Sequence, residues 1–253
     1  MTENSKIAWT DDTLNFWWGC FKVSPGCQHC YADTLSKRVG RDIWGPASTT
    51  ERWRTKGPWK DCLKWDAKAR AAGIRRRVFC MSMGDFFEDH PMLTPWREEA
   101  FEILENFTNL DVQLLTKRPE NIRRMAPAHW LENWPAHVWI GTSIEDQATA
   151  DKRVGELYRT GVMAVKFLSL EPQLENVRIP YIEKMNWVIV GGESGPGCRP
   201  FDPDWARSAL VQCREYDVAY FLKQLGGHPY KHDKMDDFPV DLRVREFPQR
   251  IAA

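Results

Sequence analysis

Three cysteines, Cys20, Cys27 and Cys30, fall within eleven residues in the run Gly19-Cys20-Phe21-Lys22-Val23-Ser24-Pro25-Gly26-Cys27-Gln28-His29-Cys30-Tyr31-Ala32. The last two have C-x-x-C spacing, and Pro25 and Gly26 turn the chain just before them. A short loop of this kind can aim several soft sulfur donors at one metal centre. Three thiolates with no evident fourth point to an iron–sulfur cluster that leaves one iron open, and an open iron is a place for chemistry. The rival is structural zinc, which needs a closed set of four ligands. The fourth would be His29, Cys62 or Cys80. His29 lies between two of the thiols, where joining them is awkward. Cys62 falls in an expected helix and Cys80 in an expected strand. Cys80 and Cys213 read as core residues, whereas Cys198 follows a Gly-rich segment and is kept as a candidate.

The elements that must position these thiols are written in the apolar pattern. Six short runs, beginning at Val78, Val112, Val138, Val165, Trp187 and Val218, are almost continuously apolar and end in polar or glycine residues. That pattern suits parallel strands covered on both faces. Leu14–Trp18 reads as a further strand leading into the cysteine loop. Helices are expected over residues 95–107, with Thr94 as N-cap, and over 145–160 and 204–216. Strands recurring every 20–35 residues give the βαβ rhythm, hence a complete or partial barrel or an open doubly wound sheet. In either architecture ligands gather beyond the carboxyl ends of the strands. Polar residues stand there repeatedly: Ser82, Gly84 and Asp85; Thr116, Lys117 and Arg118; Thr142, Ser143 and Glu145; Ser169 and Glu171; Gly191, Gly192 and Glu193; Lys223 and Gln224.

The chain has 253 residues, 43% of them hydrophobic, enough for one large domain with a sizeable core. Seven cysteines, an odd number, fit a reducing compartment better than a disulfide framework. Residues 1–6 are polar and carry no secretory h-region, and no apolar run approaches the roughly 18 residues of a membrane span. A cytoplasmic protein is expected. Formal net charge is zero, so any affinity for nucleic acid needs a local patch.

The Cys20–Cys30 loop, followed by Tyr31-Ala32 at the start of a β/α series, resembles the radical S-adenosylmethionine (SAM) enzymes. Four segments further resemble a bacteriophage-associated three-cysteine-motif family related to that superfamily. They are Ile7-Ala8-Trp9-Thr10 with Asn15, Gly19 through Ala32, Leu168-Ser169-Leu170-Glu171-Pro172, and Val188 through Gly195. Arg199-Pro200 and Lys223-Gln224 extend the likeness. It implies a single domain over 1–253, a partial (β/α)6-type TIM-like barrel with the cluster loop after the first strand. It also implies a 4Fe–4S cluster held by Cys20, Cys27 and Cys30, SAM on the open iron, and a 5′-deoxyadenosyl radical as the working species. An external electron donor such as a flavodoxin, and a bacterial or phage-infected host cytoplasm, follow from the same likeness. The superfamily's usual loop is C-x-x-x-C-x-x-C, whereas six residues separate Cys20 from Cys27 here. Its Gly-Gly-Glu normally follows the second strand, whereas Gly191-Gly192-Glu193 comes late. Either Asp85 or Glu193 could therefore hold the SAM amine. Lys117 or Arg118 could pair with its carboxylate and Ser143 or Glu145 with its ribose, beside Tyr31, Ser82, Gly191 and Gly192. Glu171, Glu193, Lys223 and Cys198 are the candidates for the substrate side.

Residues 51–77 are the most polarised stretch, ten basic residues against three acidic ones with Trp53, Trp59 and Trp65 interleaved. Cations can neutralise phosphates and exposed indoles can stack on bases. An insertion at about 45–77 that overhangs the active face would serve a DNA substrate. The alternative is a solvated helix whose tryptophans pack on the barrel. Residues 226–253 read as an irregular cap. The leading expectation is a radical enzyme that modifies or rearranges a nucleobase in phage DNA. The rivals are a zinc-stabilised, non-catalytic nucleic-acid-binding module and a radical SAM enzyme acting on a small metabolite or peptide.

Overall fold

All six apolar runs are strands in the computed structural model, which describes residues 2–250. The strands are β1 (Thr2–Glu3), β2 (Asp12–Leu14), β3 (Trp17–Trp18), β4 (Trp53–Arg54), β5 (Arg76–Cys80), β6 (Leu110–Thr116), β7 (Val138–Ile144), β8 (Lys166–Leu170), β9 (Trp187–Gly191) and β10 (Ala219–Gln224). The helices are α1 (Tyr31–Arg38), α2 (Pro58–Ala71), α3 (Leu93–Glu105), α4 (Ile122–Met125), α5 (Ala128–Glu132), α6 (Gln147–Arg159) and α7 (Pro203–Glu215). Eight strands form one sheet in the order β1-β2-β5-β6-β7-β8-β9-β10. All its pairings are parallel except β1 with β2, so the parallel part has seven strands, the six apolar runs and the further strand before the cysteine loop, one more than a (β/α)6-type barrel has.

Sequential neighbours, all parallel, mean that every crossover steps in one direction. With right-handed crossovers the helices then cover one face, and the other face must curl onto itself. The packing of Trp9 demonstrates the curl. Four strand spacings separate β5 from β9, about 19 Å in a flat sheet. Yet the Trp9 ring centroid lies 4.6 Å from Phe79 of β5 and 6.2 Å from Trp187 of β9. Phe79, Trp139, Phe167, Trp187, Ile189 and Phe221 surround Trp9 in this inner core. Alternate residues such as Val78, Val188 and Val190 join the outer core under the helices. This is a half-barrel of mixed α/β type. The C-terminal residues run along the last strand, with Glu246 N–H donating to Tyr220 O at 2.8 Å. They then reach back across the molecule, where Arg77 sits 3.8 Å over the Phe247 ring and Arg250 pairs with Asp111 at 2.8 Å.

The expected strand over Leu14–Trp18 is split. Asn15 breaks it: its side chain accepts from Met83 N–H at 2.8 Å and donates to Ser82 Oγ at 3.0 Å, and β3 then leaves the main sheet to pair with β4. The cysteine loop therefore follows β3. Thr94 is not the N-cap of α3; Met92 holds that position without a side-chain cap, because His90 Nδ1 accepts the Met92 N–H and the turn is already formed. Asp146 and Asp202 do cap α6 and α7, each accepting a backbone N–H.

No residue of 51–77 lines the cavity that the three thiols share. Trp65 and Cys62 of α2 are buried in the outer core, so α2 is a crossover helix on the outside of the sheet. Nor do its charges form one basic face. Arg52 pairs with Glu88, Lys64 and Lys68 with Glu3, Arg75 with Asp111, Arg76 with Asp12, and Arg77 with Asp11. Arg76 and Arg77 open β5, at the end of the sheet away from the polar rim. No helix among the described residues is long and apolar enough to cross a membrane.

Candidate functional site

Cys20, Cys27 and Cys30 line one cavity beyond the carboxyl ends of β5, β6 and β7. Of the residues expected to hold a cofactor, Tyr31, Ser82, Asp85, Lys117, Arg118 and Ser143 line it too. Glu145, Gly191, Gly192, Glu171, Glu193, Lys223 and Cys198 lie outside that lining.

The loop is strapped in place from four strand ends. After β6, one arm of Arg118 donates to Phe21 O at 2.7 Å, while the other stands 3.7 Å from Cys20 Sγ and donates to Asp85 at 2.8 Å. After β7, Glu145 accepts from Ser24 Oγ at 3.0 Å and is itself held by Arg153 at 2.9 Å and by Lys117. After β9, Glu193 pairs with His29 Nδ1 at 2.9 Å and with Arg199 at 2.7 Å. After β5, the Ser82 carbonyl accepts from Tyr31 Oη at 2.7 Å. Two of these straps, on Phe21 and Ser24, grip residues that a shorter first gap would lack or place differently. Ser24 and Gly26 lie inside the six-residue gap, and a Cβ on Gly26 would fall 2.3 Å from Glu145 Cγ. Gly26→Ala should therefore push the loop off Glu145. The expected result is at least a severalfold loss of bound iron after reconstitution, read by metal analysis, with little change in far-UV circular dichroism.

Asp85 is saturated. Its carboxylate accepts from Thr116 Oγ1 at 2.6 Å, from the backbone N–H of Phe87 and of Lys117, and from Arg118. Burial works to raise its pKa, but Arg118 and these donors outweigh it and hold the carboxyl below its ordinary range. Glu193 behaves alike: burial opposes ionisation, while Arg199 and His29 prevail and bring its pKa down from 4.5 to about 2. A folded value below the ordinary one stabilises the fold in full above about pH 4.5 and loses that contribution as pH falls toward 2. Glu193→Gln should flatten the acid limb of a stability–pH curve between those limits while changing the neutral-pH shape little.

Glu171 and Lys223 face each other, Nζ to Oε1 2.7 Å, close enough for an ion pair though not aligned as a hydrogen bond. Ser169 Oγ donates to the other oxygen of Glu171 at 3.2 Å. Gly191 and Gly192 meet protein on their open sides: a Cβ would lie 3.0 Å from Glu171 Oε1 at the first and 2.4 Å from Leu225 O at the second. Cys198 lies in the loop that Arg199 ties to Glu193.

Burial pushes the Cys20 thiol up; Glu88 and Asp85 push the same way and Arg118 opposes them. Burial also raises Cys30, against the backbone N–H groups of Asp33 and Ala32 at the start of α1. Such thiols are poor free nucleophiles, and a bound metal is what deprotonates a coordinating thiol outright. The donor set fits a cluster better than zinc. The possible fourth ligands are committed elsewhere: His29 to Glu193, Cys62 and Cys80 to the outer core. In a cluster each cysteine takes its own iron, so thiols spread around one cavity suffice. Sequence reasoning missed Ser24, Gly26 and Glu88, and it gave His29 no role beyond a possible fourth ligand. The acceptor and donor types were legible, but their partners lie up to 164 residues away.

The fold and site together are a half-barrel with three thiols lining one cavity at the carboxyl end of its strands. The chain belongs to the DUF5131 family, described as proteins of unknown function, which it matches over residues 4–246. No curated protein matches the sequence. Among solved structures it is similar to a point mutant of spore photoproduct lyase, with a TM-score of 0.47 and 12% identity over 94% of this chain and 72% of that one.

Proposed function

We propose that this protein is a radical SAM enzyme in which Cys20, Cys27 and Cys30 hold a 4Fe–4S cluster with one iron open to SAM. The observation that carries the reading is the sharing of one cavity by the three thiols, while His29 is bonded to Glu193 and Cys62 and Cys80 are packed in the outer core. Bound there, the cluster and SAM supply one-electron cleavage chemistry that no side chain can provide. The chain's own residues hold, orient and shield. Arg118 places positive charge beside Cys20 and fixes the loop through Phe21 O. The N–H groups of Ala32 and Asp33 favour the thiolate of Cys30. Tyr31, Ser82, Lys117 and Ser143 are the polar groups that a SAM molecule would meet in the cavity. Glu171 after β8 and Lys223 on β10 offer a carboxylate and an ammonium to the substrate.

The substrate in this reading is a nucleobase, modified or rearranged in DNA, with phage DNA as the natural setting and an external flavodoxin-type donor supplying the electron. Cytoplasmic location belongs to the same proposal. Anaerobic reconstitution with iron and sulfide, followed by reduction in the presence of SAM, is the test. 5′-Deoxyadenosine should form, faster with DNA than with free nucleosides. A protein that takes up zinc instead and forms none would overturn the reading.

A further inference from the structure

A second cavity of about 640 Å³ adjoins the thiol cavity and shares Phe21, Lys22, Val23, Lys117 and Arg118 with it as a common wall. Five cationic side chains line it: Lys22, Lys117, Arg118, Lys152 and Arg153. Three acidic residues, Glu88, Asp89 and Glu120, do so as well. Glu88 is committed to Arg52 and Asp89 to Arg124, each at 2.8 Å. Arg118 and Arg153 are spent on Asp85 and Glu145. Each lysine also meets a carboxylate, but uses only part of its donor set. Lys22 pairs with Asp33 yet its side chain is 41% exposed, Lys117 touches Glu145, and Lys152 is 69% exposed with Glu120 only loosely opposite at 4.0 Å. An ammonium has three donors, so each keeps N–H groups for an anion. The lining of the cavity thus keeps five cationic against three anionic side chains beside the thiols.

We propose that this second cavity is the subsite for a phosphate group of a nucleotide substrate, with Lys22, Lys117 and Lys152 as its donors. The attached base then points through the shared wall toward the cysteines. The site deepens the radical-enzyme reading by naming what holds the substrate, and its binding can be measured whether or not a cluster forms. Compact ammonium groups on flexible stems bind phosphate as point charges without needing a rigid fork.

The test is fluorescence anisotropy with a labelled five-nucleotide single strand, the same strand with a neutral methylphosphonate backbone, and competition by a nucleoside and its 5′-monophosphate. The charged strand should bind at least tenfold more tightly than the neutral one, and the monophosphate more tightly than the nucleoside. If the monophosphate competes as well as the strand, the phosphate comes from a free nucleotide; if the strand is tighter, it comes from a polymer. Lys152→Glu should weaken binding about tenfold and lower the salt slope by about one. Glu120→Gln should tighten binding, a change of opposite sign that misfolding cannot mimic. Equal binding of the neutral strand, no response to either substitution, or a loss produced instead by Lys60→Glu on α2 would overturn the proposal. Retained binding in a protein that never yields 5′-deoxyadenosine would leave the phosphate site standing and sink the radical chemistry.

Discussion

Cys27→Ala is expected to remove the cluster outright: iron should fall from about four per chain to below one, and 5′-deoxyadenosine formation should fall below detection. Cys27 is buried in the turn Pro25–Cys27, and the side-chain oxygen beside its sulfur, Ser24 Oγ at 3.6 Å, already donates to Glu145 at 3.0 Å. Cys20→Ala and Cys30→Ala should behave alike. Cys213→Ala is the matched control. That thiol is buried in the outer core, and its loss should cost stability of about 1 kcal/mol while leaving iron content unchanged. Metal analysis of the four variants separates a ligand from a core thiol. If Cys213→Ala loses as much iron as Cys27→Ala, the three-thiol assignment is wrong.

Glu88→Ala should be the most damaging change away from the thiols. Its carboxylate meets Arg52 through two hydrogen bonds of 2.9 and 2.8 Å, and both side chains are almost completely buried. Removing one partner strands a buried charge, which costs about 3–5 kcal/mol and, for a chain this size, roughly 10 °C in Tm. The effect should reach the site. Arg52 also donates to Gly45 O at 2.8 Å and Thr50 O at 2.9 Å, and Gly45 N–H donates to Cys20 O at 3.1 Å. Without the guanidinium in register, the segment flanking Cys20 loses its tie. Cluster uptake should therefore fall together with Tm in Glu88→Ala and recover in part in Glu88→Gln, which keeps hydrogen-bonding capacity. Calorimetry and iron analysis on the same samples check both.

The strands were legible because burial on both faces leaves a run such as Trp187-Val188-Ile189-Val190 no polar position. Residues 187 and 189 face the inner core and 188 and 190 the outer. The rim was legible for the complementary reason, since polarity returns where cover ends. The break at Asn15 was not, because it depends on Ser82 and Met83, whose proximity only the folded sheet creates. The basic stretch misled for a related cause. Composition counts Arg75, Arg76 and Arg77 as free charge, but Asp111, Asp12 and Asp11 neutralise them from elsewhere in the sequence. The three thiols could be read directly, since their spacing is local. Their straps could not, since Glu145 and Glu193 are distant in sequence from Ser24 and His29.

The most direct measurement of the central claim is electron paramagnetic resonance of the anaerobically reconstituted, reduced protein, recorded before and after SAM is added. An open iron corner predicts a 4Fe–4S signal whose shape changes on addition of SAM, from protein carrying about four irons and four sulfides per chain. A signal indifferent to SAM, or one tetrahedral zinc per chain and no signal, would contradict the account.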